Sequence, residues 1–221
     1  MTAPQVIAID GPAASGKSSV ARELAARLGW VYVNTGNMYR AATWAVIQSG
    51  ADVREESSVV RAFSGAEIRC TIEQGRSVVR VGGRDVEEEL NSEAVNAAVS
   101  HVARAPQVRE KLVAMQRDLG HAQPVVMEGR DIGTVVFPDA MVKFYIDASE
   151  EVRARRRGLQ GLADSVRERD RMDTTRKNAP LMAAPDAVII DSSDLTLEEV
   201  VNKVMETLRA RGLQAASAGS S

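Results

Sequence analysis

The sequence predicts an α/β fold in three layers, a central parallel sheet between two layers of helices. Short apolar runs recur along the chain at Val6 to Ile9, Val125 to Glu128, Val142 to Asp147 and Ala187 to Ile190. Amphipathic helical patterns alternate with them. Strands that are apolar along their whole length belong to parallel sheets covered on both faces. The chain has 221 residues, 44% of them hydrophobic, which suits one compact domain.

Val6 to Ile9 is a β-branched run that ends in Asp10-Gly11, and Val20, Ala21, Leu24, Ala25 and Leu28 then recur at helical spacing. Gly29 is placed to stop that helix, and Val31 to Val33 reads as a second strand. A second helix is expected to follow Gly36 and run to about Ser49, before Gly50. Ile68, Cys70 and Ile72 alternate with Arg69, Thr71 and Glu73, and Gln74-Gly75-Arg76 turns into Ser77 to Val81, a hairpin pattern. Ser92 can cap a helix with Val95, Ala98, Val99, Val102 and Ala103 on one face, and Pro106 opens another with Val108, Leu112, Met115 and Leu119. Because strands and helices then resume, 66–119 reads as a small α+β insertion. Thr196 and Glu199 form a capping box before a stripe of Leu197, Val200, Val201, Val204, Met205 and Leu208. The expectation is a single domain over 1–212, with 213–221 a frayed tail.

Composition removes several classes. There are 28 basic side chains against 30 acidic ones, for a net charge of −2, so the basic excess of a nucleic-acid coat is missing. The apolar runs fall far short of the roughly 20 residues that cross a bilayer. Asp10 and Gly11 arrive before an apolar signal core could form, so a cytoplasmic protein is expected. The one cysteine, Cys70, reads as a small apolar strand residue.

Gly11-Pro12-Ala13-Ala14-Ser15-Gly16-Lys17-Ser18 matches GxxxxGK[ST] between a predicted strand and a predicted helix, the context that motif requires. Such a phosphate loop, or P-loop, curls backbone N–H groups around phosphate oxygens, with the positive end of the helix dipole behind them. Lys17 would reach the outer phosphates and Ser18 would hold Mg²⁺, with Ser19 completing the ATP-binding segment. The architecture is therefore a P-loop three-layer sandwich. The DxxG and NKxD strings of a regulatory GTPase do not occur in the sequence.

Arginines stand at the ends of elements: Arg40 after the turn Asn34-Thr35-Gly36, and Arg130 with Asp131 just beyond the strand ending at Glu128. Ligands of open α/β sheets bind at the carboxyl ends of strands. Between Arg153 and Lys177 eight arginines and one lysine face four acids. Arg153, Arg155 and Arg167 are open between a site role and a solvated, ion-paired helix face. The spacing Arg169-Asp170-x-x-Asp173-x-x-Arg176 puts Arg169, Asp173 and Arg176 on one helical face, where guanidinium forks suit phosphate oxygens. His101 and His121 lack a paired carboxylate or thiol and read as surface residues.

These residues together resemble the bacterial cytidylate kinase family. The resemblance is carried by the phosphate loop, by Asn34-Thr35-Gly36 with Tyr39-Arg40, by the run from Glu128-Gly129-Arg130-Asp131-Ile132-Gly133 to Pro138-Asp139-Ala140, and by Arg169 to Arg176 followed by Ala179-Pro180-Leu181. It covers nearly the whole chain. It implies transfer of the ATP γ-phosphate to CMP or dCMP with Mg²⁺, by a monomer with the insertion in its monophosphate-binding region and an arginine-rich lid over about 155–176. It also implies that Thr35, Arg40 and Arg130 surround the acceptor phosphate and that Ser100, Arg109 and Asp131 read the cytosine. Arg169, Asp173 and Arg176 would hold ribose and phosphates, and Lys17, Arg130, Arg169 and Arg176 would be the catalytic cations. Thr35 stands where the family often has serine, and Arg157 to Arg169 is shorter than the family's lid. Another small-acceptor kinase, such as a dephospho-coenzyme-A or shikimate kinase, would share the loop but would not need Ser100 and Arg109. A nucleotide-binding switch or scaffold without transfer is the third reading.

Overall fold

The computed structural model describes residues 4–159, 166–176 and 179–213, with the backbone alone for 166–169. Strand β1 (Val6–Asp10) is buried at every position and pairs in parallel on both sides, with β6 (Val125–Gly129) and β7 (Val142–Asp147). β2 (Val31–Asn34) joins the far side of β6 and β8 (Val188–Asp191) the far side of β7, both in parallel. Side chains alternate across this sheet. Ile7 and Ile9 pack with α1 (Lys17–Leu28) and α8 (Leu197–Ala210), through residues such as Leu24, Leu28, Val204 and Leu208. Val6 and Ala8 face the other way, onto Val113 of α5 (Pro106–Ala122), Ile132, Val136 and Phe137. The three expected layers are these.

The sheet is mixed at one edge. β3 (Ile68–Glu73) and β4 (Arg76–Val81) form the expected antiparallel hairpin, but β4 also pairs in parallel with β2 at Tyr32, and β5 (Arg84–Asp85) adds a short antiparallel strand to β4. The hairpin therefore extends the main sheet. Its solvent side carries ion pairs such as Arg80 with Glu73 and Arg76 with Glu87, and charged edges discourage pairing with another chain. A third core cluster joins α2 (Thr35–Gln48), α3 (Glu56–Ser64), α4 (Glu93–Val102) and α5 through Met38, Phe63, Val102 and Leu112. Helix α3 has no counterpart in the sequence reading. It is short, lacks a side-chain cap and buries only Val59 and Phe63.

Local signals placed the ends well. Gly29 ends α1 in the left-handed conformation at φ 66, Ser92 Oγ accepts from Val95 N, and Thr196 with Glu199 forms the capping box. α2 begins at Thr35 rather than after Gly36, because Asn34 Oδ1 accepts from Asn37 N at 3.1 Å and caps the helix two residues early. In the arginine-rich region, α6 (Glu150–Leu159) and α7 (Val166–Thr174) are separate helices. The tail expected over 213–221 lies outside the described residues, apart from Leu213.

Candidate active site

Register brings the loops together. Asp10 aligns with Gly129 across β1 and β6, and Asn34 aligns with Glu128 across β2 and β6. The chain leaves these strands at one level, so the phosphate loop, Thr35 and Arg130-Asp131 emerge side by side at the carboxyl edge. They line one cleft of about 1130 Å³. Gly11 opens the loop at φ +156, where a Cβ would stand 2.1 Å from Ile146 O. Gly129 is also closely approached, since a Cβ there would meet the side chains of Thr35 and Ile132, both at 2.7 Å.

Ala13 to Ser19 line the cleft. Gly11 and Pro12 form its root: Gly11 O accepts from Arg130 Nη1 at 3.0 Å, and Pro12 O accepts from Lys17 Nζ at 3.1 Å. Thr35, Arg40, Ser100, Arg130, Asp131, Asp173 and Arg176 also line the cleft. Thr35 Oγ1 donates to Glu128 O at 2.8 Å, and Arg40 folds back so far that a Cβ on Gly36 would come within 2.8 Å of its Nη1.

Asp173, 2% exposed, is the hub of the ion pairs that line the cleft. Arg130 Nε lies 3.2 Å from its Oδ2, Arg176 Nη2 donates to its Oδ1, and Ser100 Oγ stands 3.5 Å from Oδ1. Behind this group Arg109 Nη2 donates to Asp131 Oδ2, both side chains buried, with the guanidinium 5.6 Å from the Tyr39 ring centre. Burial pulls the Arg176 guanidinium below its usual range; Asp173 opposes that, while Arg109 and Arg130 add to it. Three buried or half-buried guanidiniums thus share two carboxylates. Such a site favours an incoming anion.

Several expectations need amendment. Arg176 does not share a helical face with Asp173, because α7 ends at Thr174; the pair forms across the helix end. The Arg169 backbone belongs to α7, but its side chain lies outside the described residues, as does that of Arg167. Of the short lid segment expected over Arg157 to Arg169, 160–165 also lie outside the described residues. Arg109 meets the site through Asp131 rather than lining the cleft itself.

The solvated reading fits Arg155 and not Arg153. Arg153 is buried, with Nε donating to Ala148 O at 2.9 Å and Nη1 to Asp170, whose Oδ1 accepts from the loop residue Ala13 N at 3.4 Å. Next to it Arg156 Nη2 donates to Ser192 O at 2.8 Å, and Ser192 Oγ donates to Ser15 O at 2.8 Å. These straps tie α6, α7 and the turn after β8 to the phosphate loop. Sequence reading missed Asp170, Ser192 and the buried Asp10 and Glu128; a buried acid directly before the loop glycine was the one visible cue. His121 is exposed and lies edge-on to Phe137 at 5.7 Å. Burial pushes the Cys70 thiol up to about 11, so it is no nucleophile at neutral pH.

Among the described residues no helix is long and apolar enough to cross a membrane, and no three His, Cys, Asp or Glu side chains group around a metal position. The Ser18 hydroxyl, at the start of α1 and on the cleft wall, would suit a magnesium ion that takes its other ligands from nucleotide phosphate and water.

A phosphate loop rooted on the central strand, facing buried arginines across one cleft, defines a P-loop α/β protein of the nucleotide-kinase class. Its relatives specify it further. The chain belongs to the cytidylate kinase family, whose family model matches residues 7–210. It is 46% identical over 216 residues to the cytidylate kinase of Geobacillus thermodenitrificans (strain NG80-2), covering 93% of this chain and 96% of that one. With the cytidylate kinase of Mycobacterium avium (strain 104) it shares 45% over 223 residues, 96% and 98% of the two chains. Among solved structures, shikimate kinase from Acinetobacter baumannii in complex with shikimate matches at TM-score 0.47 and 13% identity, over 96% of this chain and 97% of its own.

Proposed function

We propose that this protein transfers the γ-phosphoryl group of ATP to the phosphate of CMP or dCMP, giving ADP and CDP or dCDP. The observation that carries this is the single cleft in which the phosphate loop faces Arg130, Arg176 and Asp173. A phosphate oxygen of the acceptor attacks the γ-phosphorus, the bond to the β–γ bridging oxygen breaks, and that oxygen leaves on ADP. The acceptor needs no general base, since its second pKa near 6 leaves it ionised at neutral pH. The obstacle is the approach of two anions.

Backbone N–H groups of the loop and Lys17 hold the donor, while Arg40, Arg130 and Arg176 neutralise and orient the acceptor. Thr35 joins them through its place beside Glu128. Ser100, Asp131 and, through Asp131, Arg109 read the base; Asp173 fixes two of the guanidiniums and meets the sugar. Arg169, on α7, is assigned to the same phosphates. Mg²⁺ held by Ser18 would offset charge on the outer phosphates. The reading includes action as a monomer in the cytoplasm.

A coupled ADP-release assay comparing CMP, dCMP, UMP, AMP and shikimate as acceptors tests the proposal. The cytosine nucleotides should be preferred. Equal rates with AMP or shikimate would refute it.

A further inference from the structure

Asp10 has no place among the groups assigned above, yet it occupies the joint between the two halves of the cleft. It is the last residue of β1 and is 3% exposed. Its Oδ1 accepts from Ile132 N at 2.8 Å and its Oδ2 from Gly133 N at 2.7 Å. Those two N–H groups open the π-helical turn Ile132–Val136, directly after Arg130 and Asp131. First-turn N–H groups have no acceptor within their own helix, so something outside it must supply one. Asp10 supplies two.

The next residue, Gly11, holds the chain just before that turn: its carbonyl oxygen accepts from Arg130 Nη1 at 3.0 Å. Adjacent residues at the root of the phosphate loop therefore hold both sides of the Arg130-Asp131 pair. A buried carboxylate is a costly way to fill space. Burial, helped by Asp131, outweighs the two backbone N–H groups and Lys17 and leaves the Asp10 carboxyl raised to about 7. An apolar side chain would pack without that cost and would leave both N–H groups unpaired.

We propose that Asp10 is a positioning residue for the acceptor: by holding the turn after Arg130-Asp131 against the base of the phosphate loop, it sets the distance between acceptor and donor phosphates. This rests on the function proposed above and adds a residue that does not itself line the cleft. Displacement of a reacting group by about 1 Å can cost about 10²-fold in rate. The consequence should be one-sided, because Lys17 and the loop N–H groups lie on the donor side of the joint.

Asp10→Asn keeps the shape and replaces one acceptor oxygen by a donor that confronts a backbone N–H. In the full chain, kcat and KM for CMP and for ATP are measured, and CMP binding without ATP is measured by calorimetry. The expected result is a loss of about 10²-fold in kcat/KM for CMP and a weaker calorimetric CMP affinity, with KM for ATP within about twofold. A folded Asp10→Asn with kcat/KM for CMP within threefold of the native chain would overturn the proposal. So would equal losses toward ATP and CMP that follow the folded fraction. If Asp10→Asn does not fold, Asp10→Ser, which retains one acceptor, is judged by the same two ratios. CMP turnover by the native chain tests the proposed function separately, so the two failures are distinct.

Discussion

Arg109 and Asp131 offer a way to separate recognition from stability. Their side chains are 7% and 6% exposed, and Arg109 Nη1 has no hydrogen-bond partner among the described residues. Asp131→Ala would leave a buried guanidinium without its carboxylate, a change that costs about 3–5 kcal/mol. For a chain of this size each kcal/mol shifts Tm by about 2–4 °C, so a fall of roughly 6–20 °C is expected. The double variant Arg109→Met with Asp131→Leu removes both charges and should recover most of that loss, since a well-packed apolar pair replaces a buried ion pair at little cost. Recognition should not return with it. Two charge-assisted hydrogen bonds at about 1.5–3 kcal/mol each stand to be lost, so kcat/KM for CMP should fall at least about 10²-fold and the preference for CMP over UMP should shrink. Thermal melts and the coupled assay on the native chain, the single and the double variant give both readings. A double variant with native Tm and native CMP preference would show that the pair is scaffold alone.

Lys17→Ala should lower turnover by about 10³-fold or more while Tm moves by only a few degrees, because Lys17 lines the cleft, where it is proposed to hold phosphate, and is not part of the core; turnover within tenfold of native would remove the loop assignment. Gly120→Ala places a Cβ 2.5 Å from Phe137 Cζ and 3.0 Å from Val6 Cγ2. Overpacking should outweigh the gain in helix propensity by about 1–2 kcal/mol and lower Tm without changing kcat at 25 °C. For pH, burial raises Asp10 from 3.8 to about 7, so between those values the folded chain holds a proton that the unfolded chain has released. This contribution to stability is therefore fully present below about pH 4 and is lost as pH rises to 7, at up to about 1.4 kcal/mol per unit. Urea midpoints at pH 5 and pH 7 should show the native chain losing stability relative to Asp10→Asn as pH rises, and an unchanged difference would contradict the direction.

How much was legible depends on range. The phosphate loop, the Gly29 stop, the Ser92 cap, the Thr196-Glu199 box and the hairpin are all written within a few residues, and each was found. Helix α3 was missed because a nine-residue helix with two buried side chains carries a weak period. Arg176 was placed on a helical face by spacing alone, and spacing does not say where α7 stops. For Arg153 the local pattern offered a charged surface helix, whereas its partner Asp170 comes from another helix and both meet Ala13, some 157 residues from Asp170.

By itself, then, the sequence determined the α/β class, the order of most strands and helices, and the chemical types that line the cleft, because periodicity, caps and loop motifs act through neighbouring residues. Tertiary structure alone decided which of those groups meet. Strand register placed Asp10 beside Gly129, 119 residues apart, and from that alignment follow the Asp10 bonds to the turn and the hold of Arg130 on Gly11. Such contacts depend on how the sheet closes, a sum over the whole core that no short stretch of chain contains.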